Sequence, residues 1–328
     1  KILGVDGLFL NGSGYDYTPF EDVKTYVLSA IMIDPTLSVS DLINAYFNRF
    51  YPVSGTLLST YYLGLEQSTY SDNINIGLYT SFGESMRSYL DTADFLAFHE
   101  KLRNIQKLVS GDEKRRLDKL LAALSYVQLQ LSYHQGTIDN GFLVVADNNL
   151  KLGLQNDENI MFLEQLIQEG VLNYKEEKGD LSTYIKEWEI LRNRVSPVNK
   201  LEEIKVIGIT TGATLPHADL LINNLPGFTS DFNQGWFLAG EDISILCNTL
   251  QADIKELQLT FLINRKHRML APEEIVVQVG DDVIARYNAK DYLLEGDKAI
   301  LHKKLAIPVN KKIEIKIYKN RELKNSVI

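Results

Sequence analysis

Asp231, Asn233 and Trp236 fall within six residues of one another and are the most chemically suggestive group in the chain. An indole ring stacks on the apolar C–H face of a sugar, while a neighbouring carboxylate and amide bond its hydroxyls. The alternative is a core tryptophan whose polar neighbours only shape the loop before it. Arg265, His267 and Arg268 sit between two predicted strands, where they either join the same ligand-binding end or remain solvated. Near the N-terminus, Asn11, Ser13, Tyr15 and Asp16 form a polar, glycine-interrupted loop after a short apolar run. That loop is either a sugar-contacting rim or an ordinary turn.

Other chemistries lack their residues. Asn11-Gly-Ser-Gly-Tyr15 has no leading glycine, so it is not a Gly-x-Ser-x-Gly nucleophile elbow. Neither a phosphate loop nor a dinucleotide fingerprint is present. His99, His134, His217, His267 and His302 share no ligand spacing on any one helix and read as structural or surface residues. Cys247, alone in 328 residues, excludes an internal disulfide framework and a cysteine-based zinc site. In its predicted strand it reads as a small buried apolar side chain.

Charge divides the chain. Residues 1–195 hold 17 Lys and Arg against 26 Asp and Glu, whereas residues 196–328 hold 17 of each. The whole net charge of -9 therefore belongs to the first part, and a domain boundary is expected near residue 196. Neither part is basic, which argues against nucleic acid as a partner. Lys114-Arg115-Arg116 stands beside Asp112, Glu113 and Asp118 and reads as a solvated helix face. No apolar run reaches the ~20 residues of a membrane span. The chain opens at Lys1 inside an apolar stretch, so it is expected to be a processed or excised piece of something larger.

These residues need elements to position them. Residues 1–10 read as a buried strand, followed by a turn over 11–14 and a helix over Glu21–Ile33. Thr18 is its expected N-cap, with Pro19 at the first helical position, and Asp34-Pro35 stops it. Ser38 is expected to cap the next helix, with Asp41 at the third position. Further helices are expected over Ser54–Gln67, Phe82–Leu90, Thr92–Val109, Asp112–Gln135, Asp157–Lys178 and Leu181–Arg192. The longest has Leu117, Leu120, Leu121, Leu124, Val127 and Leu131 on one stripe. Several long helices with short connections make an antiparallel bundle the default. Residues 136–155 are either a small hairpin or a long ordered loop.

After Ser196-Pro197 the period becomes two. Strands are expected over Glu203–Thr210, Asp242–Leu250, Ile254–Asn264, Glu274–Gly280, Val283–Ala289, Ala299–Pro308 and Lys312–Lys319. Seven short strands broken by turns indicate an antiparallel β-sandwich.

Five segments carry a resemblance in this second part. They are Leu220-Leu-Ile-Asn-Asn-Leu-Pro-Gly227, Asp231-Phe-Asn-Gln-Gly-Trp236, Glu241-Asp-Ile-Ser-Ile245, Ile254-Lys-Glu-Leu-Gln-Leu-Thr-Phe-Leu262 and Ala271-Pro-Glu-Glu-Ile-Val-Val-Gln278. In that order they resemble the discoidin-like modules (coagulation-factor C-type, galactose-binding-like) that follow many bacterial glycoside hydrolases. The resemblance implies terminal-sugar binding on loops at one end of the sandwich, or a structural spacer. It also brings in a structural calcium, but Asn223-Asn224 replaces the family's Asp-Gly and removes the charge. No cofactor is expected.

Tyr26-Val-Leu-Ser-Ala-Ile-Met-Ile-Asp-Pro35, Leu42-Ile-Asn-Ala-Tyr-Phe47, Phe50-Tyr-Pro-Val-Ser-Gly55 and Tyr61-Tyr62 resemble the end of alpha-glucuronidase-like barrel proteins of glycan-degrading bacteria. Ile33 stands where that family commonly has Trp. The resemblance implies a barrel whose catalytic acids lie on strands before Lys1. Glycosidic hydrolysis normally needs two facing carboxyl groups, and only Asp16 is placed to reach such a rim here. No catalytic residue is therefore assigned to this chain.

The expected architecture is multidomain, with both α and β parts. Residues 1–36 would be the last strand–helix unit of a truncated β/α barrel, 37–195 a helical domain, and 196–328 a discoidin-like, galactose-binding-like jelly roll. The expected function is that of an extracytoplasmic, carbohydrate-associated protein. It would be the C-terminal portion of a glycoside hydrolase-like polypeptide, with an oligo- or polysaccharide and the upstream barrel segment as partners. A scaffold that binds only proteins is the other class.

Overall fold

A computed structural model describes residues 16–71, 86, 89–135, 143–146, 149–152, 155–175, 179–192, 196–197, 204–223, 225–248 and 254–328. The strand expected over 1–10, the loop residues Asn11, Ser13 and Tyr15, and most of the helix expected over 82–90 lie outside the described residues. The chain divides into two compact units, one of residues 1–143 with 152–193, the other of 144–151 with 194–328. One is dominated by helices and the other by antiparallel sheets.

In the helical unit, α1 (Glu21–Ile33) buries Val23 and Val27. Its N-cap is Phe20 rather than the expected Thr18: Phe20 adopts a left-handed conformation, φ 64°, and no side chain caps the helix. The reason lies in packing. Phe20 places its ring edge-on against Phe47 and Tyr62, with centroids at 6.3 and 5.2 Å. Burying an aromatic ring, worth ~1.5–3 kcal/mol, offsets the ~1–2 kcal/mol of a left-handed residue. Half of the capping box survives, since Thr18 N donates to the Glu21 carboxylate at 3.1 Å.

Helix α2 (Val39–Phe50) is capped as expected by Ser38, whose hydroxyl accepts from Asp41 N at 3.3 Å. Helix α3 (Gly55–Ser71) begins where Gly55 meets the end of α2: a Cβ there would stand 2.6 Å from the Phe47 carbonyl oxygen. Helices α4 (Thr92–Gln106) and α5 (Gly111–Gln135) follow. On α5, Leu117, Leu120, Leu121, Leu124 and Leu131 are buried in one apolar core with Ile43, Phe47, Leu58, Phe95 and Leu102.

Helix α6 (Gln155–Gln168) ends ten residues before the expected Lys178. Gly170, at φ 85°, provides the left-handed stop, and Val171 N reaches back to Leu166 O at 2.9 Å. That is a glycine-terminated helix end, after which the chain can only turn. It continues as β3 (Asn173–Lys175) and β4 (Gly179–Asp180), then α7 (Leu181–Arg192). Trp188, Tyr133 and Tyr184 are fully buried there, and Gln130 Nε2 donates to the Tyr184 hydroxyl at 2.6 Å.

Two strands, β1 (Leu143–Ala146) and β2 (Asn149–Leu152), fall within residues 136–155, the stretch expected to be a hairpin or loop, and β5 (Ser196–Pro197) joins them in a small sheet. A five-stranded sheet has the order β10-β9-β13-β7-β6, from β6 (Ile204–Gly208), β7 (Ile243–Asn248), β9 (Glu274–Val279), β10 (Asp282–Asn288) and β13 (Lys312–Tyr318). A three-stranded sheet has the order β11-β12-β8, from β8 (Ile254–Leu262), β11 (Leu293–Glu295) and β12 (Lys298–Ile307). The strands pair antiparallel in both sheets. Alternate residues point inward: Ile313, Ile315 and Ile317 share a core with Ile243, Ile245 and Cys247. Phe261, Ala299 and Leu301 of the other sheet belong to the same core. Burial pushes the Cys247 thiol up to about 11, as befits an inert core cysteine.

The architecture is thus mixed, with helices and antiparallel sheets. Among the described residues no helix is long and apolar enough to cross a membrane.

Candidate functional site

Between β6 and β7 the chain is irregular, and its inner face is anchored by Leu225 and Phe228, both buried. Trp236 Nε1 donates to the Phe228 carbonyl at 2.6 Å. The five-membered ring of its indole lies against Gly227, where an added Cβ would come within 2.3 Å of Cε2. The indole is thereby pinned by a hydrogen bond and by a glycine that leaves room for it, yet it remains partly exposed. Lys298, the first residue of β12, holds its ammonium 6.0 Å from the ring centroid.

Asp231 is largely buried and turns the loop: its Oδ1 accepts from Asn233 N at 3.1 Å, and its carbonyl accepts from Gln234 N at 3.0 Å. Gln234 O in turn accepts from Phe228 N, closing the loop on itself. Asn233 is left exposed at the tip. The ring of Phe232 meets His267 with centroids 4.7 Å apart. Through that contact the 231–236 loop and the 265–268 turn lie together at the end of β8.

The 265–268 turn is a single turn of 3-10 helix, capped by Asn264 Oδ1 on His267 N at 3.2 Å. Arg268 closes it in a left-handed conformation, φ 59°, with an exposed side chain. Arg265 forms a two-pronged pair with Glu322 at 2.9 and 3.3 Å. Glu322 holds that guanidinium's pKa above its ordinary value. Arg265 is therefore committed to the C-terminal segment, where Val327 N also bonds Arg268 O at 2.9 Å. Sequence reasoning missed Gly227, Phe232, Lys298 and Glu322, whose roles depend on contacts far apart in the chain.

Asp16, the described member of the N-terminal loop set, has a different neighbourhood. Its carboxylate accepts from Leu172 N at 2.7 Å, Asn173 N at 2.9 Å and Asn173 Nδ2 at 3.3 Å. The two backbone N–H groups, Leu172 first, hold its pKa below the usual carboxylate range. It ties the entry to α1 onto the segment after α6.

Asn223 Oδ1 already accepts from Leu225 N at 2.9 Å, and among the described residues no cluster of three acidic, His or Cys side chains converges. Asn224 lies outside the described residues. Glu241 and Asp242, in the acidic strand segment, are engaged structurally. Glu241 accepts from Thr210 N and Thr211 N, each at 3.1 Å, and Asp242 pairs with Arg321 at 2.7 Å.

No family model matches the chain, and no curated protein matches it.

Proposed function

We propose that this chain is part of an extracytoplasmic, carbohydrate-associated protein whose second unit is a galactose-binding-like sandwich with a sugar site at the Trp236 loop. The observation that carries this reading is the partly exposed indole of Trp236, fixed by Phe228 O and Gly227. Exposed Asn233 belongs to the same loop, and the Lys298 ammonium lies 6.0 Å from the ring centroid. A rigid aromatic face binds a sugar without losing side-chain freedom on association. An amide and an ammonium supply hydroxyl contacts around it. His267, through Phe232, extends the same end of the unit; Asp231 shapes the loop.

In this proposal Glu21–Ile33 is the last helix of an alpha-glucuronidase-like barrel, and the remaining helices of the first unit are the helical region that follows that barrel. No hydrolytic step is assigned to the chain's own residues. The test is a glycan array of neutral and uronate-containing oligosaccharides probed with the full chain and with Asn233→Ala, which leaves the indole in place. Selective binding that weakens with Asn233→Ala supports the reading, and a blank array contradicts it.

A second reading is favoured by one observation. Val283 and Ile284 on β10 and Leu293 and Leu294 on β11 are exposed, and these strands are the outer ones of their respective sheets. Unpaired strand edges with apolar side chains suit protein partners, as a scaffold would require. The bulge between Val283 and Ala285, however, blunts the longer edge.

A further inference from the structure

We draw no further inference here: the strongest candidate, the exposed apolar surface of Met32 and Ile33 at the end of α1 with Leu37 and Val39 at the entry to α2, carries nothing because nothing in the structure shows what covers it.

Discussion

Trp236 depends on the smallest residue in the chain for its position. Gly227→Ala would drive a methyl group into the indole, displacing the ring and its bond to Phe228 O. We expect a loss of about 1–3 kcal/mol, read as a lower midpoint in urea unfolding, together with loss of glycan binding. Trp236→Phe keeps a ring but leaves the Phe228 carbonyl without its donor, an expected cost of ~0.5–1.5 kcal/mol. A second residue-scale prediction concerns His99, buried on α4 and stacked on Phe95. Burial, reinforced by Arg103, lowers its pKa from 6.5 to about 4. The unfolded chain therefore takes up the proton first on acidification. Stability contributed by the neutral ring is whole above pH 6.5, falls between 6.5 and 4, and is lost below that. The full loss amounts to roughly 3 kcal/mol. His99→Phe should flatten the pH dependence of the melting temperature across this window; an unchanged slope would contradict the assignment.

At the scale of elements, the first turn of α5 clamps the corner between α2 and α3. Glu113 accepts from Val53 N at 3.0 Å, from Ser54 N at 2.9 Å and from the Ser54 hydroxyl at 2.9 Å. Arg116 adds its guanidinium over the Phe50 ring, 5.3 Å from the centroid. Because the acceptor is buried and charged, Glu113→Ala should cost about 2–3 kcal/mol, and Glu113→Gln less, by chemical denaturation. Equal stability of all three proteins would show that the corner holds without the clamp. The alternation of Ile313, Ile315 and Ile317 and the leucine stripe of α5 made these elements legible in the sequence, because burial on one face fixes the period. The strand Leu293–Glu295 was not legible: three residues are too few to alternate, and both leucines are exposed. The overlong helix after Asp157 had the opposite cause. Apolar Val171 and Leu172 continue the pattern past Gly170, and only the left-handed backbone at that glycine ends it. Within the candidate site, Asp231, Asn233 and Trp236 were visible as a local cluster. Their link to His267 runs through Phe232, a contact over more than thirty residues that no local pattern encodes.

At the scale of the whole molecule, acidic charge is concentrated in the residues of the helical part, and the sugar-binding proposal for the second unit rests on one exposed ring. The two tryptophans occupy opposite environments: Trp188 is fully buried in the helical unit, while Trp236 is partly exposed in the second. Acrylamide quenching of the native chain should therefore resolve an accessible emission that disappears in Trp236→Phe, beside a protected one from Trp188. The most direct test of the account is to repeat that quenching while titrating an oligosaccharide that binds on the array. The account predicts that the accessible emission becomes protected in step with saturation, because the sugar covers the indole. Saturating binding with Trp236 still fully open to acrylamide would contradict it.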